Sequence, residues 1–86
     1  MWAIVRISSI LYMMSGYHVI GKVASHIREH RMRSGLTQEE LGAVVGVSRQ
    51  SVNAIERGRY VPSLPLALRF ARIFNCLTDE LFELQE

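Results

Sequence analysis

The sequence predicts an all-α domain of five short helices behind an apolar N-terminal arm. Three observations predict it. From Ala24 onward apolar residues recur at helical spacing, and before it they do not. Glycines stand where those periods stop, at Gly35, Gly46 and Gly58. Hydroxyl residues suited to cap a helix stand where they resume, at Thr37, Ser48 and Thr78. With 86 residues there is room for one modest core, and 49% apolar with 21% charged residues excludes general disorder.

The arm, residues 1–23, differs in composition from the body, residues 24–86. It is rich in aromatic, β-branched and Met residues, with Arg6 and Lys22 its only Lys or Arg. Its charge-free span, Ile7 to Gly21, is 15 residues, interrupted by serines, Gly16 and His18. A membrane-spanning helix needs about 20 apolar residues. Arg6 and Ala24 imitate the flanks of a signal peptide badly. "WAIVRI" is strand-prone, Ser15-Gly16 suits a turn, and Tyr17, Val19 and Gly21 alternate with His18, Ile20 and Lys22. The arm is therefore read as a hairpin whose open edge serves a dimer contact. The competing reading is a floppy or helical leader, with Met13 or Met14 as the true start.

In the body, a first helix is expected over Lys22–Ser34, stopping at Gly35. Thr37 opens "TQEE", a capping box in which the Thr hydroxyl and the Glu40 carboxylate satisfy each other's backbone amides. That second helix runs to Val45 and ends at Gly46. Ser48 caps a third, which ends near Arg57-Gly58. Pro62 and Ser63 mark a loop before a fourth helix, Leu64 to Phe74. Thr78 is expected to cap a last short helix, with Asp79 and Glu80 at its positive end.

Gln38 to Arg57 reads as one unit. Leu41 and Val45 form the inner face of one helix, Val52 and Ile55 that of the next, and Val47 is buried at the turn. Gly42 lacks a side chain where two steeply crossing helices would collide, and Gly46 sits where the chain must reverse. Seven apolar or Gly positions thus fall where a helix-turn-helix requires them. In such a unit the outer N-terminal face of the second helix enters the DNA major groove. Arg49 could pair with guanine O6 and N7 or reach a phosphate, Gln50 and Asn53 could pair with adenine, and Ala54 could touch a thymine methyl. The plainer alternative for Arg49 is a solvated charge, and for Ser51 a capping role.

Charge agrees with a polyanionic partner. From Lys22 to Arg72 nine Lys and Arg face four Glu, a net +5, whereas Asp79, Glu80, Glu83 and Glu86 make the end of the chain −4. Charge alone does not separate nucleic acid from an anionic membrane. The lone Cys76 excludes an internal disulfide and fits a reducing cytoplasm. "HIREH", His26 to His30, matches an inverted zinc-peptidase pattern, but a third ligand and a cleft are missing. There is no glycine-rich phosphate loop and no nucleophile beside a base, so neither an enzyme, a cofactor nor a metal is expected.

The stretch "LTQEELGAVVGVSRQSVNAIERGRYVPSLPLALRFARIF" resembles the phage repressor and Cro class of helix-turn-helix regulators, the xenobiotic-response-element family, and especially its small stand-alone members. The similarity covers about Ile27 to Leu84. It implies a five-helix domain that binds operator DNA, usually as a homodimer, and mostly represses. By position, Gln38 resembles the family's phosphate-contacting Gln, which also braces the base-reading side chain, here Arg49 or Gln50. Arg31 and Glu56 match a salt bridge between the first and third helices. Arg57, Arg59 and Tyr60 fall where the family's loop touches the DNA backbone, and Ser48 and Ser51 are expected to touch phosphates as well. Two departures stand out: Gly42 where Ala is commoner, read as benign, and the arm, which the short members lack. The same fold serves as an antitoxin or an adaptor, and the apolar arm is the feature that would favour such a protein partner, for instance a toxin.

Overall fold

The computed structural model describes residues 22–85. The expected arm hairpin, with its turn at Ser15-Gly16, lies outside them. The body contains the five expected helices: α1 Ile27–Arg33, α2 Gln38–Val45, α3 Arg49–Glu56, α4 Leu64–Phe74 and α5 Thr78–Leu81. Two short strands, β1 Lys22–Ser25 and β2 Phe82–Gln85, are additional. They pair antiparallel, with Val23 opposite Leu84 and Ser25 opposite Phe82, so the two ends of the body are bound together.

This pairing corrects the expected first helix. Lys22–Ser25 is strand, and α1 starts at Ile27, whose amide donates to Ser25 Oγ at 3.3 Å. The His26 amide donates to Leu81 O at 2.8 Å and carries the ladder to the end of α5. Backbone groups that would have joined a longer helix are thus satisfied across the sheet. The last helix also starts differently from expectation. Thr78 is its first helical residue and Leu77 its cap, which has no side-chain oxygen to offer. Glu80 supplies what capping remains, accepting from the Leu77 amide at 3.1 Å.

The expected caps of α2 and α3 are in place. Thr37 Oγ1 accepts from the Glu40 amide at 3.0 Å while Glu40 Oε1 accepts from the Thr37 amide at 2.9 Å. Ser48 Oγ accepts from the Ser51 amide at 3.1 Å. Between the two helices Gly46 takes φ +84°, a left-handed turn that suits glycine, and the Gly42 carbonyl accepts from both Gly46 and Val47. This draws the turn against α2. A Cβ on Gly42 would lie 2.6 Å from Val47 O, nearer than real contacts allow. The departure from Ala is therefore not neutral in this chain, because a methyl would have to push the turn outward.

The core is Ile27, Leu41, Val45, Val52, Ile55, Leu66, Phe70, Ala71 and Leu81, which draws on all five helices. The inner-face residues expected from the helix-turn-helix spacing are among them, and Val47 packs half-buried at the edge. Cys76 is half-buried too, and burial pushes its thiol pKa up, away from the reactive thiolate.

The end of α1 nearest the strands is clamped by His26. Its Nδ1–H donates to Glu29 Oε2 at 2.9 Å and its Nε2–H to Glu83 Oε1 at 2.8 Å. Both ring nitrogens must carry protons to do this, so the clamp is an imidazolium. The bonds to Glu29 and Glu83 raise the His26 pKa above its ordinary 6.5, and the bond to His26 lowers that of Glu29 below 4.5. A raised histidine stabilises the fold fully below its unfolded value and less as pH climbs through its folded one; a lowered carboxylate behaves in the opposite sense. The clamp is therefore complete between about pH 4.5 and pH 6.5. Its side chains are 35%, 55% and 65% exposed for His26, Glu29 and Glu83, so its contribution is below about 1 kcal/mol. His26→Leu should lower the melting temperature at about pH 5.5 and nearly match the parent at about pH 8.5. An equal loss at both would mean that His26 acts by packing alone.

Candidate nucleic-acid interface

The Ser48 cap starts α3 so that its first residues, Arg49 and Gln50, are exposed, while Val52 and Ile55 anchor the opposite face in the core. Asn53 and Ala54 follow on the same outer side and are half-buried. Ser48 and Ser51 are tied to each other, hydroxyl to hydroxyl at 3.2 Å, which makes the cap rigid. Beyond α3, Gly58 takes φ +72° and the Arg59 amide donates to Ala54 O at 2.9 Å. That turn leaves Arg57, Arg59 and Tyr60 exposed in succession.

Beneath this surface lies a polar network. Arg31 on α1 grips Glu56 on α3 in a two-pronged pair, Nε to Oε2 at 2.6 Å and Nη2 to Oε1 at 3.2 Å. Its remaining nitrogen, Nη1, donates to Leu36 O at 2.9 Å. Gln38 Nε2 completes the set by donating to Glu56 Oε1 at 3.1 Å. The Arg31 pKa is raised, chiefly by the hydrogen bond to Glu56. The Glu56 side chain is only 3% exposed and that of Arg31 14%, so the pair fixes α1, the start of α2 and the end of α3 as one body.

Of the clefts that open over the network, two are lined by Asn53 of α3. One, of about 380 Å³, is lined by Gln38, Arg49, Gln50 and Asn53. The other, of about 390 Å³, is lined by Arg28, Arg31, Gln38, Asn53, Glu56 and Arg57. Gln38 and Asn53 belong to both, so the two clefts are neighbours that share a wall. The structure thus brings Arg49, Gln50 and Asn53 together with Gln38, and Arg31 together with Glu56. Arg59 and Tyr60 line neither cleft. Gln38 stands beside Arg49 and Gln50, yet its amide nitrogen is committed to Glu56, and among the described residues it makes no hydrogen bond to either. Arg28 was not legible as a member of this surface. The only hint was its place one turn before Arg31.

Elsewhere, His30 Nδ1–H donates to His26 O at 3.0 Å and its ring lies 5.6 Å from that of Phe74, so both histidines of "HIREH" have partners within the fold. Among the described residues no helix is long and apolar enough to cross a membrane.

A helix-turn-helix family model matches residues 27–81, from the start of α1 to the end of α5. An uncharacterised HTH-type transcriptional regulator of Bacillus subtilis, YgzD, is 50% identical over 60 residues, which is 70% of this chain and 91% of that protein. One from Methanothermobacter thermautotrophicus is 65% identical over 46 residues, 54% of this chain and 67% of its own. Among solved structures, the restriction-modification controller protein C.AhdI from Aeromonas hydrophila matches with a TM-score of 0.60 and 38% identity, covering 65% of this chain and 85% of that one.

Proposed function

The chain belongs to the DNA-binding helix-turn-helix transcriptional regulators of the phage repressor/Cro type, and from that premise we propose that it is a cytoplasmic repressor that binds operator DNA as a homodimer through α3. The observation that carries this reading is the outer face of α3. Arg49 and Gln50 are exposed there and share a cleft with Asn53 and Gln38, while the buried Arg31–Glu56 pair holds the helix from behind.

In this reading Arg49, Gln50 and Asn53 meet base edges in the major groove, and Ala54 lies where a thymine methyl would pass. Gln38, Ser48, Ser51, Arg57, Arg59 and Tyr60 meet the phosphates on either side and set the register. A dimer places two copies of α3 about 34 Å apart, on half-sites one helical turn from each other.

Two substitutions separate these roles. Gln50→Ala should cost about 1–3 kcal/mol at one base position and little on unrelated DNA. Arg59→Ala should weaken binding to all sequences alike and flatten the salt dependence by about one unit of log K against log salt. Fluorescence anisotropy on fragments from the protein's own upstream region, titrated with salt, reads both. If the two variants behaved alike, the division of labour would be wrong. Weak binding indifferent to Gln50→Ala would favour the antitoxin or adaptor reading, which leans on the arm.

A further inference from the structure

We propose that Arg28 and Arg57 form a two-arginine clamp for one DNA backbone phosphate, so that α1 takes part in binding beside the helix-turn-helix. This rests on the DNA-binding reading above and adds a contact from outside Gln38–Arg57. Its ground is the second cleft, which Arg49 and Gln50 do not line.

Three arginines line that cleft, but they are not equivalent. Arg31 is consumed by Glu56 and Leu36 and points its donors into the fold. Glu56, the cleft's one carboxylate, is in turn covered by Arg31 and Gln38. Arg28 and Arg57 are both exposed, and among the described residues neither has a carboxylate partner. The cleft therefore keeps two guanidinium groups that, among the described residues, have no carboxylate partner and are available to an anion.

The anion is identified by what adjoins it. Asn53 and Gln38 continue from this cleft into the one with Arg49 and Gln50, so an anion between Arg28 and Arg57 would be one group of a polymer whose next groups pass over α3. A forked guanidinium matches phosphate oxygens in a way an ammonium does not. Arg28 stands on a helix held to α3 by the Arg31–Glu56 pair one turn away, so its backbone position relative to α3 is fixed in advance. The contact should therefore bear on register as well as on attraction.

Arg28→Gln, Arg28→Lys and, as a control for net charge, Arg72→Gln on α4 would be compared in salt-titrated anisotropy with an upstream fragment and with unrelated DNA. Arg28→Gln should weaken both by on the order of tenfold and reduce the slope of log K against log salt by about 0.9. Arg28→Lys should restore the slope but only part of the affinity, and Arg72→Gln should change little. The helical signal of each variant in circular dichroism should match the parent, since both arginines are exposed. If Arg28→Gln were indistinguishable from Arg72→Gln while the parent bound DNA with a steep salt slope, the clamp would be refuted and the DNA reading kept. If the parent bound no DNA, both would fall together.

Discussion

Arg31→Leu is expected to lower the unfolding free energy by about 3–5 kcal/mol. The substitution leaves the Glu56 carboxylate, 3% exposed, with a single donor from Gln38, and frees Leu36 O from its guanidinium partner. An uncompensated buried charge is far more costly than the loss of one hydrogen bond. A body of this size holds only about 3–10 kcal/mol in total, so the loss is a large fraction of its stability. Removing both charges should do less harm: Arg31→Leu with Glu56→Leu is expected to recover most of the loss, because a buried pair contributes little net stability. Urea titrations of the single and double variants decide it. If the single variant lost less than about 1 kcal/mol, water would be reaching Glu56 and the pair would not be the rigid tie described. A double variant that folds yet binds DNA poorly would locate the value of the pair in geometry.

That pair also shows what the sequence could and could not disclose. Arg31 and Glu56 lie 25 positions apart, and nothing local joins them; only the resemblance to a known family did so. The helix-turn-helix itself was legible from inside, because its determinants are local. Thr37 and Glu40 cap one helix, Ser48 caps the next, and Gly46 must adopt positive φ between them. The strands were not legible, since the partner of Val23 is Leu84 at the other end of the body. Alone, "KVAS" and "FELQ" carry too few residues to distinguish a strand from a helix end. Arg28 was hidden for another reason: a surface arginine on a helix is ordinary until tertiary packing sets it beside Arg57 and Asn53.

Phe70→Ala is expected to cost a comparable amount, about 3–5 kcal/mol, by a different mechanism. Phe70 is fully buried on α4, and its ring meets that of Phe82 edge-on with centroids 6.3 Å apart. Truncation leaves a cavity among residues drawn from every helix and removes the aromatic contact that seats β2. Its effect should reach the helix-turn-helix, because α4 packs on α2 and Arg69 Nη1 donates to Val45 O at 3.4 Å, at the end of α2 before the Gly46 turn. Phe82→Ala separates the two contributions. Phe82 is only half-buried and lies on the strand pair, so its truncation should cost clearly less than that of Phe70. It should loosen the ends of the body while leaving the helix-turn-helix folded. Amide hydrogen exchange would show this as lost protection in β1 and β2 with α2 and α3 unchanged. Equal losses for the two variants, with exchange rising everywhere, would mean that the strand pair is an integral part of one cooperative core. The β1–β2 ladder would then be as necessary to α3 as the helices that surround it.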